Sequence, residues 1–179
     1  ELVLGLEEHA MGPYLTDSAA ISGKIKLRAE DFFVEEVPLY EACGEGTHVY
    51  FEIEKVDITT ADAAAAIAKA LSKARSDVGF AGRKDAHAVS RQWMSAEHVE
   101  ESRVAALELP RIKILRVSRH KNKLKTGHLK ANKFRIKLRQ TQMPADQAAK
   151  VAKEVLTELE KRGVPNYFGK QRFGTREDS

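Results

Sequence analysis

Apolar and polar residues alternate cleanly from Thr47 to Val56. Val49, Phe51 and Ile53 fall on one face and His48, Tyr50, Glu52 and Glu54 on the other, which predicts a half-buried strand. Shorter strands are predicted at Lys24–Arg28 and Phe32–Val37, the second closed by Pro38, with a loop at Gly44-Glu45-Gly46. From Thr59 to Ala74 the period becomes helical. Thr59 and Thr60 are cap candidates and Asp62 sits in the first turn, where the helix dipole favours a negative charge. Ala63, Ala64, Ile67, Ala70, Leu71 and Ala74 share one face, and so many alanines predict close packing on a sheet.

Short strands are expected at Val78–Ala81 and Gln92–Ala96, around a segment Gly82–Arg91, and again at Arg111–Val117 and Lys133–Arg139. In the last of these, Phe134, Ile136 and Leu138 point one way, predicted into the core. Lys133, Arg135, Lys137 and Arg139 point the other way and present a row of cations. A final helix is predicted from about Pro144 to Arg162, with Ala148, Val151, Ala152, Val155, Leu156 and Leu159 as its core face and Gly163 and Pro165 as its stop. Hairpin strands mixed with crossing helices predict an α+β fold, a mixed and mainly antiparallel sheet flanked by helices.

The length of 179 residues suits one domain that buries about 70% of its unfolded surface. With 31% charged and 42% apolar residues the chain is neither a low-complexity tail nor a membrane bundle. No apolar run approaches the ~20 residues that span a bilayer, so no membrane partner is expected. Glu1–Met11 lacks a basic stretch leading into an apolar one, so no signal peptide is expected, and the first residue is not a methionine, as in an excised piece. The single cysteine, Cys43, has no disulfide partner and fits a reducing compartment.

Charge changes this picture most. The net charge of +4 conceals twelve Lys and Arg between Arg111 and Arg139, with no acid between Glu108 and Asp146. The remainder holds 18 basic against 26 acidic residues. A basic block in an otherwise acidic domain is the footprint of a polyanion site; a solvated, lysine-rich strand pair is the plainer reading. The six histidines show no i, i+3 or i, i+4 pair, so no metal site is expected, and no phosphate-cradling glycine loop occurs.

Two segments carry candidate chemistry. In Gly79–Trp93 a strand leads through Gly82, Arg83 and Lys84 to Asp85 before a second apolar strand. Asp85 reads either as an ordinary turn residue or as a carboxylate held beside cations, ready to act as a nucleophile. The segment Gly163–Gly174 interleaves Tyr167, Phe168 and Phe173 with Asn166, Lys170, Gln171 and Arg172. It suits stacking on unpaired bases, or equally a set of core anchors after a helix.

Together these segments resemble the TruD-type tRNA pseudouridine synthases. The family's Ala-Gly-x-Lys-Asp-like stretch is similar to Ala81-Gly82-Arg83-Lys84-Asp85, followed by Ala88, Ser90 and Gln92. Its Asn-Tyr-Phe-Gly-x-Gln-Arg-Phe-Gly-like segment is similar to Val164–Gly174. Its Gly-Asn-x-Phe element resembles Ala131-Asn132-Lys133-Phe134, with Ala in place of Gly, and its Pro-Glu-Asp-Phe element resembles Ala29-Glu30-Asp31-Phe32, with Ala in place of Pro. The resemblance covers nearly the whole chain, but family members are considerably longer. Residues 1–179 therefore correspond to the N-terminal portion of a catalytic domain, a missing C-terminal half being a further partner.

The resemblance implies isomerisation of a uridine in tRNA, in the D-arm region, without metal or cofactor and in the cytoplasm. Asp85 is the implied catalytic carboxylate, attacking the sugar carbon or the base, or acting as a base. The target must leave the RNA stack to reach it. Phe134 is the implied ring against the flipped base, and Asn132 an implied hydrogen-bonding neighbour of the carboxylate. Arg83 or Lys84 is expected to pair with Asp85 or hold phosphate. Lys121, Lys123, Lys125, Lys133 and Arg135 are expected to grip the RNA backbone, and Arg172 to contact it near the aromatic segment. The competing readings are a non-catalytic RNA-binding module and a fragment that pairs with a partner half.

Overall fold

The computed structural model describes residues 16–164. Residues Lys24–Arg139 form one compact unit, and a second contains α3 (Ala145–Arg162).

The first unit is built on β1 (Phe32–Pro38), β2 (His48–Val56), β3 (Gly79–Phe80), β4 (Val89–Glu97), β5 (Ile112–His120) and β6 (Leu129–Ile136). The sheet order is β5-β2-β4-β1-β6, with β3 beside the end of β4. Only β1 and β4 run parallel; every other pairing is antiparallel. The α+β architecture expected from the sequence is therefore present.

The periodicity of β2 places Val49, Phe51 and Ile53 on the face covered by α1 (Thr60–Ala70). Thr59 caps that helix, its hydroxyl accepting from the Asp62 amide at 3.0 Å. Ala63, Ala64, Ile67 and Ala68 let the helix backbone approach Phe51 and Met94, all fully buried or nearly so. The helix stops at Ala70, short of the expected Ala74, because Ser72 adopts a left-handed conformation at φ 57°.

The opposite face of β2 is buried too, against the expectation of a half-buried strand. Tyr50 and Trp93 pack there with Tyr40 from the connection between β1 and β2, Leu124 from that between β5 and β6, and Leu129 at the start of β6. Loops, which alternation does not register, cover that side. The first we call the helix face and the second the loop face.

Three other expectations change. Lys24–Arg28 is no strand; it meets the sheet through a single bridge between Lys24 and Arg139. There Arg139 Nε donates to both carboxylate oxygens of buried Asp31, at 2.8 and 2.7 Å. Phe134, Ile136 and Leu138 do not enter the core. β6 ends the sheet among the described residues, beyond the reach of α1, and all three side chains are largely exposed. In the second unit, α3 begins after Pro144 and stops at Gly163 (φ 81°), but its apolar stripe is only half-buried and Leu156 is exposed. The described part of that unit offers no sheet or second helix to cover it.

Candidate active site

Parallel pairing of β1 and β4 brings the starts of both strands to one end of the sheet. Asp85 lies in the loop before β4, and Lys26 in the segment before β1. Lys26 Nζ reaches Asp85 Oδ2 at 2.9 Å, while the Asp85 side chain keeps 48% of its surface in solvent. The ammonium also sits 4.1 Å above the Phe32 ring, a cation–π contact that fixes its position. Lys26 itself has φ 58°, a left-handed conformation unusual for a side-chain-bearing residue.

The Asp85 backbone is pinned from below. Lys55 is fully buried on the helix face, and its ammonium donates to the carbonyls of Asp85 (2.9 Å) and Ile58 (2.7 Å). Burial brings the Lys55 ammonium down to about 8; the Asp85 carboxylate opposes that fall and Lys84 adds to it. One residue earlier, the Lys84 amide donates to Thr60 Oγ1 at 2.8 Å, and that hydroxyl donates to Gln92 Oε1 at 2.9 Å. Two residues later, His87 bridges Asp57 Oδ1 (2.8 Å) and the Lys26 carbonyl (3.0 Å). Its hydrogen bond to Asp57 raises the imidazole above its ordinary value.

Lys84 does not pair with Asp85. It turns inward, where its ammonium lies 2.6 Å from Glu36 Oε2, both side chains being almost wholly buried. Glu36 Oε1 accepts from the Trp93 amide at 3.2 Å. Gly82 leaves room for this pair, since a Cβ there would stand 3.3 Å from Lys84 Nζ and 3.0 Å from Leu129 Cδ2. Arg83 is exposed and makes no ion pair among the described residues.

The register of β6 on β1 sets the rest of the site. Phe134 lies opposite Val34 and Asn132 opposite Glu36, which puts both on the helix face. Phe134 meets Phe32 edge-on at 5.9 Å and is 59% exposed. A chain of contacts thus runs from Asp85 through Lys26 and Phe32 to Phe134. Lys133 and Arg135 alternate onto the loop face, away from Asp85. There Arg135 stacks over Phe33 at 4.6 Å, with Arg91 also over that ring at 5.3 Å.

The remaining basic candidates cluster at the far end of the sheet. Lys121 pairs with Glu45 at 2.7 Å, Lys123 donates to the Ser76 carbonyl, and Lys125 is exposed. Arg172 and the aromatics after Val164 lie outside the described residues. Sequence reasoning missed Lys26, Lys55 and His87. Only the alternation of β2, which puts Lys55 in line with Ile53 on the inward face, carried a signal for any of them.

No helix among the described residues is long and apolar enough to cross a membrane. Among them, too, no cluster of three His, Cys, Asp or Glu could hold a metal ion.

The family model for tRNA pseudouridine synthase D (TruD) matches residues 8–179. The chain is 51% identical over 170 residues to tRNA pseudouridine synthase D of Geotalea daltonii, covering 94% of this chain and 42% of that one. It is 52% identical over 157 residues to the Geobacter metallireducens protein of that description, covering 88% and 38%. A crystal structure from Methanosarcina mazei, described as tRNA pseudouridine synthase D (TruD), superposes with a TM-score of 0.84 at 29% identity, over 92% of this chain and 38% of that one. The chain thus spans about two fifths of the length of the curated relatives it matches. The family model covers most of the chain and the fold matches that crystal structure, so the chain belongs to the TruD family of tRNA pseudouridine synthases.

Proposed function

We propose that the protein containing these residues isomerises a uridine of tRNA to pseudouridine, with Asp85 as the catalytic carboxylate. The observation that carries this reading is the setting of Asp85. Its backbone is fixed by buried Lys55, its side chain is open to solvent, and Lys26 holds one carboxylate oxygen at 2.9 Å. A nucleophile needs that combination of fixed position and access.

In the reaction the bond from uracil N1 to the sugar breaks and a bond from C5 to the same sugar carbon forms. The C5 hydrogen leaves as a proton and N1 gains one, so substrate and product are isomers. Asp85 supplies the transient nucleophile or base for this exchange. Phe134 offers an open aromatic edge, on the same sheet face, for an extruded pyrimidine, and Asn132 lies two residues along that face. Arg83 and the lysines of the β5–β6 loop meet the RNA backbone, and Arg172 is expected to do so near the aromatic segment. The remaining length typical of the family supplies the other wall over Phe134 and Ile136. A tRNA substrate and the lone Cys43 fit a cytoplasmic setting.

The test is Asp85→Asn in the protein at the full length of its gene, given tRNA labelled with tritium at C5 of uridine. Tritium release is expected to vanish while tRNA is still bound. Release at the normal rate overturns the assignment.

A further inference from the structure

A second concave site lies at the other end of the sheet and on the loop face. It is a cleft of about 580 Å³ whose walls include Tyr40, His48, His120, Asn122, Lys125 and His128, within the range typical of small-ligand sites. His48 marks the far end of β2 from Lys55, which holds the Asp85 carbonyl. Seven steps along the strand separate the two, roughly 23 Å at ~3.3 Å per step. The reacting uracil at Asp85 cannot occupy this cleft.

Its walls are built rather than incidental. The Tyr40 ring stacks on His120 at 5.0 Å and 20°, and the Tyr40 hydroxyl lies 2.7 Å from His128 Nδ1. Gly46 has φ 116°, and a Cβ there would collide with the His120 carbonyl, so only glycine lets the β1–β2 connection close onto β5. The β5–β6 loop is tied down by buried Leu124, whose amide donates to Ser95 Oγ at 3.0 Å.

The chemistry of the lining is specific. Lys123 and Lys125 supply cations against one carboxylate, Glu41. His48 is more than nine-tenths buried, yet its Nδ1 has no hydrogen-bond partner among the described residues. Burial lowers its imidazole below the ordinary value, against the pull of Glu97. Glu97 Oε1 lies 3.5 Å from Nε2, which favours a proton on that nitrogen and leaves Nδ1 as an acceptor. That nitrogen is closed to solvent, so His48 meets the cleft through the rest of its ring.

We propose that this cleft binds an unpaired nucleotide of the tRNA, remote from the one that reacts. Lys125 and Asn122 hold its phosphate, the His120–Tyr40 stack faces its base, and His48 stands in the wall beside it. The assignment rests on the tRNA reading above, and adds a second anchor at the opposite end of the sheet from the first.

The test uses the protein at the full length of its gene. Asn122 is an exposed loop residue, so Asn122→Asp places an anion in the cleft without threatening the fold. It is expected to raise the Kd for tRNA at least tenfold. In wild-type protein with 13C-labelled histidine, a single-stranded trinucleotide is expected to shift the signals of His48, His120 and His128. Silent histidines together with an Asn122→Asp affinity within twofold of wild type overturn the cleft, even where pseudouridine is still made. Shifted histidines and weakened Asn122→Asp binding in a protein that makes no pseudouridine uphold the cleft and overturn the Asp85 reading instead. Free uridine monophosphate that saturates the same shifts at a tenfold lower concentration than the trinucleotide overturns the RNA assignment in favour of a mononucleotide.

Discussion

Lys26 Nζ and Asp85 Oδ2 stand 2.9 Å apart across 59 positions of sequence. The contact orients the carboxylate without covering it. Lys26→Met is expected to lower the rate of tritium release on the order of 100-fold, the scale of losing one oriented charge partner at a reacting group. Lys26→Arg should recover part of that loss. Equal rates for wild type and Lys26→Met would show the pair to be ornamental to catalysis.

The Lys84–Glu36 pair is buried, so removing one partner strands the other in a medium that solvates charge poorly. Lys84→Met is expected to destabilise the protein by about 3–5 kcal/mol in urea unfolding. Adding Glu36→Gln should restore most of it, because the amide oxygen still accepts from the Trp93 amide. A double variant no more stable than Lys84→Met would count against the ion pair as the cause.

Phe134 separates stability from activity. Its ring is mostly in solvent, so Phe134→Ala should cost under ~1 kcal/mol, well below the ~3–5 of a buried phenylalanine. The same substitution should impair isomerisation at saturating tRNA. A large drop in melting temperature would place the ring in the core after all.

Lys55 gives stability a pH signature. Its ammonium is brought from 10.5 down to about 8 on folding, mainly by burial. Between those values the unfolded chain holds a proton that the folded chain has released, so native stability rises with pH through this window. Below about pH 8 both states are charged and the cost of burying the ammonium is carried in full. Lys55→Met removes the ammonium and with it this pH dependence. The difference in unfolding free energy should therefore move in favour of wild type from pH 8 to 10.5, by at most roughly 3 kcal/mol. Parallel curves for the two proteins would remove Lys55 as the titrating group.

Much of this was legible in the residues themselves. The alternation of β2, the Thr59 cap and the position of Asp85 between two strands follow from local rules. What was hidden is long-range. Alternation tells which side chains share a face but not what covers it, so Tyr50 was read as exposed and Phe134 as buried, each the reverse of its place. Lys84 sits beside Asp85 in sequence, yet Glu36 draws it inward, and Lys26, in a left-handed backbone conformation, reaches Asp85 from 59 positions away. Neither event has a signature in nearby residues. The acid-free basic stretch did mark an unusual surface, but strand alternation divides it, sending Lys133 and Arg135 to the side away from Asp85.

The single parallel pairing in the sheet has an evolutionary corollary. Two strands that set out from the same edge bring Asp85 and Lys26 together there, while the β1–β2 and β5–β6 connections gather at the opposite margin. Those far connections also cover Tyr50 and Trp93, so they are held to the sheet at one margin while Asp85 and Lys26 meet at the other. Under the proposed assignment, changes in the outermost turns of one margin alter the surface offered to a nucleic acid and leave the Asp85 corner in place.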